Sequence, residues 1–428
     1  MRLLYALPAL LLLISACSAK TGEKRNTSAG ADNAAEIERE AAAARETAIL
    51  RDRASRIAAG LDDKKLAAQV IFSGIDGRGR LAEDMKTLLA ECPAGGIMLF
   101  RYNLDADNDS IRGLIAECSE LVSSGAAAEL FPDSSENNAK TITAVFPFIA
   151  VDHEGGKVNR FRPGVADMPP ASFYREMAAA QGNESAIVQI NTDSFNAGKI
   201  INDLGVNFNF APVVEFLNDD NREFLEDRSY GTDPIFTANA AAAFIMGMNS
   251  AGILCAVKHF PGSAGPDPHR FPSVLPGDRE ALAELVSPFA ALIRDGSSAY
   301  SGQARAVMVS HSSVPAIDSA NIASLSPAVM NGWLRGELGF NGIIVSDDFS
   351  MAAAGNKNTL RPETAATQSL AAGADMALVW PPDLRRTHRE IQAAVADGRL
   401  SRERLREAAE RIIFEKLRMG LVREAIMY

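Results

Sequence analysis

The chain has 428 residues, of which 47% are hydrophobic, so it can bury the core of one barrel-sized domain or of two small domains. Its formal net charge at neutral pH is -11. Because binding to nucleic acid phosphates needs a concentrated basic face, and the sequence shows none, nucleic acid is excluded as the main partner.

The first residues have the pattern of an export signal. One arginine precedes the apolar run of residues 3–14, which is too short to cross a bilayer, and small residues stand directly before Cys17. This pattern resembles a lipoprotein signal, residues 1–17, in which the thiol of Cys17 carries the lipid. An ordinary cleaved signal is the alternative. In the first case we expect an exported lipoprotein, anchored in the membrane and facing the periplasm or the outer cell surface.

Residues 18–60 are expected to form a tether. Residues 18–33 are small and polar, and residues 34–59 are charged and alanine-rich, with high helix propensity but a thin apolar stripe. Such a segment would hold the body of the protein away from a membrane. Toward its C-terminal end, a first helix packed on the following domain is an equal alternative.

The other three cysteines match no metal-binding motif. Cys255 lies in an apolar run and is most simply a small core residue. A disulfide between Cys92 and Cys118 stays undecided at this stage.

From residue 61 onward, apolar strand-like runs alternate with amphipathic or alanine-rich helical stretches, as in repeated βα units. Eight such runs predict one catalytic domain over residues 61–428 with an α/β fold, a closed (β/α)8 TIM barrel. A doubly wound open sheet would also alternate, but its ligands would gather at one switch point. Residues 123–143 predict a surface insertion. The eight runs are residues 69–73, 95–100, 146–152, 206–212, 253–260, 306–311, 342–347 and 374–380.

Ionisable side chains stand at the ends of four of these runs. Asp152 ends the third run, Lys258 and His259 lie near the end of the fifth, His311 ends the sixth and Asp347 ends the seventh. A catalytic group is held most rigidly where a buried strand runs out into a loop. The sequence therefore predicts an active site at the carboxyl ends of the strands.

Seven short segments resemble glycoside hydrolase family 3, and within it the single-domain β-N-acetylhexosaminidases. Each segment alone is a weak signal, but seven in the family's order over about residues 61–419 are not expected by chance. The resemblance implies release of terminal β-linked N-acetylglucosamine from peptidoglycan- or chitin-derived fragments, an oligosaccharide substrate, with no metal and no cofactor. The segments are VDHEGGKVNR, NFNFAPVVE, DRSYGTDP, KHFPG, VSHSSVPAID, LSP and VSDDFSM.

The resemblance implies a retaining mechanism with two catalytic groups. A carboxylate attacks the anomeric carbon, and a proton donor on the leaving-group side later activates water. The family pattern assigns the nucleophile to Asp347, with an active Asp348 beside a helix-capping Asp347 as the alternative. It assigns proton transfer to His269, held by Asp267 on a mobile loop, where most glycosidases use a second carboxylic acid.

The loop after KHFPG departs from the family pattern. Relatives carry a second histidine in a GHG turn and about two more residues before the aspartate, whereas residues 263–266 here are Ser, Ala, Gly and Pro. The loop is shorter and is stiffened by Pro266 and Pro268. A merely exposed or loop-stabilising His269 is therefore the alternative to a catalytic one.

The resemblance also assigns the recognition of the sugar. Asp152 would accept hydrogen bonds from ring hydroxyls, and His311 would either touch the sugar or support a neighbour. Charge-assisted donors suit a sugar because its hydroxyls would otherwise lose water without a replacement partner. The predicted donors to hydroxyls and to the acetamido group are Arg160, Arg228, Lys258 and His259.

Four further residues near these motifs have no catalytic assignment. His153 stands where relatives commonly have glutamine, and Glu154 is expected to order the glycine turn that follows it. Met351 and Trp380 would either form the bottom of the sugar site or belong to the core.

Other functions stay open on the sequence alone. Relatives with similar motifs cleave β-glucosides or β-xylosides. A phosphorolytic relative would use phosphate in place of water, which a neutral histidine tolerates better than a carboxylate does. A lipid-anchored sugar-binding protein without turnover would keep the recognition residues. The oligomeric state is not defined by the sequence.

Overall fold

The computed structural model describes residues 28–125, 140–268, 270–294, 302–351 and 360–426. Cys17, with the rest of the expected signal, and His269 lie outside the described residues. Within the described ranges, no helix combines the length and the apolar character needed to cross a bilayer.

The described residues divide into two units at residue 45, with residues 28–45 in the first and residues from 46 onward in the second. Helix α1 (Ser28–Gly60) begins in the first unit, where its described side chains are mostly exposed. In the second unit, the small and aliphatic side chains of Ala54, Ile57 and Ala58 on α1 are buried in the hydrophobic core. Residues 46–60 of α1 are therefore part of the packed core of the second unit.

Eight parallel strands form the centre of the second unit. They are β1 (Ile71–Gly74), β2 (Gly96–Met98), β3 (Phe148–Val151), β4 (Phe208–Asn209), β5 (Leu254–Phe260), β6 (Ala306–Val309), β7 (Ile343–Ser346) and β8 (Ala377–Val379). They pair in the order β7-β6-β5-β4-β3-β2-β1-β8, and a parallel bridge between Val345 and Met376 closes the ring. Each strand coincides with one of the eight predicted runs, so the predicted (β/α)8 barrel is confirmed.

Aromatic rings fill part of the barrel interior. Phe72 on β1 and Phe208 on β4 have ring centroids 5.4 Å apart, although these strands are not neighbours in the sheet, so the contact runs through the interior. Gly96 makes room for this packing, because a Cβ there would lie 2.1 Å from the Phe72 ring. The interior is thus a packed core and not a pore.

Helices surround the barrel and connect its strands. The short antiparallel pairs described outside the barrel are His153–Gly155 with Val158–Asn159, Ser313–Val314 with Asp318–Ile322, and Lys140–Val145 with Val422–Ile426. Shorter helical turns are the 3-10 helices Glu226–Arg228 and Ala323–Leu325 and the π-helix Ala328–Glu337. The remaining α-helices are α2 (Asp63–Gln69), α3 (Glu83–Glu91), α4 (Arg101–Leu104), α5 (Asn108–Gly125), α6 (Ala171–Gln181), α7 (Asn183–Asp203), α8 (Arg222–Leu225), α9 (Pro234–Ser250), α10 (Arg279–Leu285), α11 (Ser287–Arg294), α12 (Pro362–Ala372), α13 (Pro381–Asp397) and α14 (Arg402–Arg418).

The three cysteines of the barrel unit are buried free thiols. The disulfide that the sequence left undecided between Cys92 and Cys118 is therefore not formed. Burial raises the pKa of Cys118 to about 12, which keeps this thiol protonated and unreactive.

A buried lysine lies beneath the amino ends of β1 and β3. Lys416 on α14 donates a hydrogen bond of 2.8 Å to Oε1 of Gln69, and its ammonium lies 5.2 Å from the centre of the Phe148 ring. Burial lowers the pKa of Lys416 to about 7.

The lowered pKa of Lys416 predicts a pH-dependent stability. Between about pH 7 and 10.5 the unfolded chain binds a proton at this amine that the folded protein does not bind, so the free energy of unfolding rises with pH. We expect wild type to gain on the order of 3–4 kcal/mol relative to Lys416→Met between pH 7 and 10 in urea unfolding. Lys199→Met removes an exposed lysine and keeps Lys416, so its free energy of unfolding should rise with pH as that of wild type does. If the free energy of unfolding changed equally with pH in wild type and in Lys416→Met, the prediction would be contradicted.

Candidate active site

A cavity of about 380 Å³ opens at the carboxyl end of the barrel. Its volume falls in the range of small-molecule sites, roughly 300–1000 Å³. Seven of the sequence-predicted site residues line it together, although they are far apart in the sequence. Its ionisable lining residues are Asp152, Glu154, Arg160, Arg228, Lys258, His259, His311, Asp347 and Asp348.

Asp152 directly follows β3 and is held by two cations. Its Oδ1 accepts a hydrogen bond of 2.9 Å from Nζ of Lys258, and its Oδ2 accepts one of 2.9 Å from Nη2 of Arg160. Burial alone would raise the pKa of Asp152, but Lys258 and Arg160 lower it below the usual value. The cavity therefore presents an ionised, oriented carboxylate with both of its cations.

Glu154 adds a second buried carboxylate to the same network. It accepts two parallel hydrogen bonds of 2.8 Å from Arg228, and its Oε1 lies 2.7 Å from Nζ of Lys258. Burial opposes the charge of Glu154, but Arg228 and Lys258 lower its pKa. Two carboxylates thus hold the ammonium of Lys258 between them.

The glycine turn expected after Glu154 is also present. Gly155 and Gly156 have φ values of +91° and +56°, and a Cβ on Gly155 would lie 2.3 Å from the carbonyl oxygen of Pro169. The turn could therefore be predicted from the sequence, but the role of Glu154 as the counter-ion of Arg228 and Lys258 was not predicted. A glutamate inside a buried strand end was the available signal.

His259 follows Lys258 on β5 and lines the cavity. Its Nδ1 lies 2.7 Å from Oε1 of Glu215, a buried carboxylate that sequence analysis did not single out. Phe224 stands on the same side of the cavity, and the guanidinium of Arg228 lies 5.0 Å from the centre of its ring.

The two aspartates that follow β7 have different partners. The hydrogen bond described for the Asp347 carboxylate comes from the backbone N–H of Asp348, at 2.8 Å. The Asp348 carboxylate accepts three: from the backbone N–H of Ser350 at 2.8 Å, from its hydroxyl at 2.7 Å, and from Nε1 of Trp380 at 2.8 Å. Asp348 is thus committed to shaping the turn, and this partition favours Asp347 as the group that faces a ligand.

His311 engages the protein through both ring nitrogens. Nε2 lies 3.0 Å from the carbonyl oxygen of Asp348, which can only accept, so Nε2 carries the proton. Nδ1 then accepts from the hydroxyl of Ser324 at 2.7 Å. Burial lowers the pKa of His311, although Asp347 opposes this. The geometry favours support of the Asp348 backbone over direct contact with a sugar.

The residues left without a catalytic assignment divide between cavity and core. Met351 lines the cavity. Trp380 is half-buried and stacks on Phe100, which also lines the cavity, with ring centroids 4.5 Å apart. His153 is fully buried beside Phe161, and burial lowers the pKa of His153 to about 4, so its imidazole is a neutral core group.

The loop after β5 reaches the cavity. Pro268 lines the same cavity as Asp347, and Asp267 is half-buried directly before it. His269 itself lies outside the described residues, so its predicted role stays a prediction. Within the described residues, no group of three or more His, Cys, Asp or Glu side chains is placed to hold a metal ion.

Comparison with known proteins identifies the family. Residues 62–414 match the sequence profile of the glycosyl hydrolase family 3 N terminal domain. The β-hexosaminidase of Methylococcus capsulatus is 34% identical over 306 residues, which cover 70% of this chain and 79% of that protein. The β-hexosaminidase of Idiomarina loihiensis is 32% identical over 313 residues, which cover 71% of this chain and 82% of that protein.

Solved structures share the fold. A glycoside hydrolase family 3 β-N-acetylglucosaminidase from Paenibacillus superposes with a TM-score of 0.71 at 29% identity over 84% of this chain. The match spans only 63% of the Paenibacillus protein. NagZ from Neisseria gonorrhoeae, solved with N-trifluoroacetyl-D-glucosamine, gives a TM-score of 0.63 at 26% identity, over 80% of this chain and 88% of that one. The chain therefore belongs to glycosyl hydrolase family 3 and is a glycoside hydrolase.

Proposed function

We propose that the protein is a retaining exo-glycosidase that hydrolyses terminal β-linked N-acetylglucosamine from peptidoglycan- or chitin-derived fragments. The observation that carries the proposal is that Asp347 lines the same cavity as the charged network around Asp152. The β-hexosaminidases and the β-N-acetylglucosaminidase to which the chain is similar support this choice of sugar.

The network suits the recognition of a sugar. Each hydroxyl that enters the cavity loses water and needs a fixed donor or acceptor in its place. Asp152 offers acceptor oxygens, Lys258, Arg160 and Arg228 offer donors, and His259 offers its ring nitrogen Nε2. Since Asp152 and Glu154 already orient the cations, little side-chain freedom is lost when the sugar binds.

The proposed reaction has two steps. In the first, a carboxylate oxygen of Asp347 bonds to the anomeric carbon, the glycosidic C–O bond breaks, and the leaving oxygen takes a proton from His269. In the second, His269 takes a proton from water, the water oxygen bonds to the anomeric carbon, and the ester to Asp347 breaks. Asp267 orients His269 throughout. The product keeps the β configuration.

The different partners of Asp347 and Asp348 predict unequal effects of two matched substitutions. Asp347→Asn keeps the shape but removes the nucleophile, so release of nitrophenol from nitrophenyl N-acetyl-β-glucosaminide should fall at least about a thousandfold. Asp348→Asn should cost far less, because its carboxylate binds Ser350 and Trp380. A fluorosugar should also leave a covalent adduct on Asp347, detected by peptide mass. Wild-type-like turnover in Asp347→Asn, or a larger loss in Asp348→Asn, would remove the mechanism.

The choice of sugar predicts a substrate ranking for the mature protein. Turnover of nitrophenyl N-acetyl-β-glucosaminide should exceed that of the β-glucoside and the β-xyloside, and added phosphate should not raise the rate. A β-glucoside or β-xyloside preference would refute the sugar, and phosphate-dependent turnover would refute hydrolysis. Absence of turnover on all three, with sugar binding retained, would identify a binding protein instead.

We also propose export and lipid anchoring through Cys17. The support is the signal pattern of residues 1–17, which lie outside the described residues. In cells fed a labelled fatty acid, the wild-type protein should carry the label and sediment with membranes, and Cys17→Ala should lose both properties. Cys92→Ala, which removes a buried thiol, is the matched control. Equal labelling of wild type and Cys17→Ala would disprove the anchor.

A further inference from the structure

A buried carboxylate outside the motif assignments lies behind the cavity wall. Glu215 is 1% exposed and follows β4. Val213 forms a parallel bridge with Lys258, and the N–H of Val214 donates to the carbonyl of Lys258 at 3.0 Å. This register places Glu215 directly beside His259.

The two oxygens of Glu215 bind two different elements of the site. Oε1 lies 2.7 Å from Nδ1 of His259 and accepts the backbone N–H of the same residue at 3.3 Å. Oε2 accepts a hydrogen bond of 2.6 Å from the hydroxyl of Ser263. Burial would raise the pKa of Glu215, but these hydrogen bonds lower it. The group is therefore a carboxylate, which accepts at both oxygens.

The first contact defines how His259 meets a ligand. Because an ionised carboxylate only accepts, Nδ1 of His259 carries a proton. With Nδ1 engaged behind the wall, a sugar can meet the ring only through Nε2. Glu215 thus sets both the rotation and the tautomer of the imidazole.

The second contact anchors the loop that carries Asp267. Ser263 is the first residue after KHFPG. The next residues are pinned as well: Gly265 N–H donates to the Asp220 carbonyl at 2.6 Å, and Ala264 N–H donates to the Ser273 hydroxyl at 3.0 Å. Ser263 therefore ties the start of the loop to the same carboxylate that holds His259.

We propose that Glu215 is a positioning residue of the glycosidase reaction, which orients His259 toward the sugar with one oxygen and anchors the Asp267 loop with the other. The proposal rests on the proposed function and extends it to a residue that the motifs did not assign. A well-packed apolar side chain at this position would avoid the desolvation of a buried charge, so stability alone does not call for the carboxylate.

The test uses Glu215→Gln, Ser263→Ala and the double variant in the full chain. Glu215→Gln should raise KM for nitrophenyl N-acetyl-β-glucosaminide about tenfold and also lower kcat, since both partners lose a charged acceptor. Ser263→Ala should lower kcat about fivefold with KM within about twofold, since only the loop anchor is lost. The double variant should be no worse than Glu215→Gln by more than about twofold, because the two groups act as a unit.

Two controls separate positioning from general destabilisation. Glu415→Gln removes a buried carboxylate that pairs with Arg305 away from the cavity, and it should lower the unfolding midpoint without changing KM or kcat. Ser369→Ala removes a buried hydroxyl on α12 and should change neither KM nor kcat.

Three results would overturn the proposal. The first is a folded Glu215→Gln with KM and kcat within about twofold of wild type. The second is a double variant whose loss of kcat/KM equals the product of the losses in Glu215→Gln and Ser263→Ala. The third is a change in kcat in Glu215→Gln equal to that in Glu415→Gln. If Glu215→Gln does not fold, an unchanged kcat in Ser263→Ala is sufficient. A wild type without turnover of β-N-acetylglucosaminides would instead refute the proposed function, so the two failures are distinguishable.

Discussion

The ammonium of Lys258, held between Asp152 and Glu154, is the interaction on which the rest of the site depends. Lys258 belongs to β5, whereas the two carboxylates follow β3, so the ion network crosses β4 and ties the mouth of the barrel together. Each of these charges would be costly to bury alone, and removing one partner of such a network typically costs about 3–5 kcal/mol. The same pairing keeps the lining ionised and oriented before any sugar arrives.

Residues behind the network determine which polar groups remain for a ligand. The carboxylate of Asp348 forms hydrogen bonds with Ser350 and Trp380, and the ring nitrogens of His311 form hydrogen bonds with Ser324 and with the backbone of Asp348. Asp347 lines the same cavity, and the hydrogen bond described for its carboxylate comes from the backbone N–H of Asp348. The polar side chains at the strand ends therefore differ in how far their polar atoms are already bound by the protein.

The barrel could be predicted because its strands are buried on both faces, by the barrel interior on one side and by the surrounding helices on the other, and so appear as continuous apolar runs. All eight runs were found in the sequence. The cavity could be located because ionisable residues stood at four of their ends. The role of Glu154 as a counter-ion and the contacts of Glu215 could not be predicted, because the type of a residue does not reveal its partner. Glu215 and its partner Ser263, for example, are 48 residues apart in the sequence. The pairing of Lys140–Val145 with Val422–Ile426 was missed for the same reason. Lys140–Val145 overlaps the end of the predicted surface insertion, residues 123–143, of which residues 126–139 lie outside the described residues.

A crystal structure of the protein with bound N-acetylglucosamine would show directly whether Asp347 and the Asp152 network face the same sugar. We expect ring hydroxyls within hydrogen-bond distance of Asp152 and Lys258, with the anomeric carbon roughly 3–3.5 Å from a carboxylate oxygen of Asp347. A sugar bound elsewhere, or one whose anomeric carbon faces Asp348 while Asp152 and Lys258 stay paired only with each other, would contradict it.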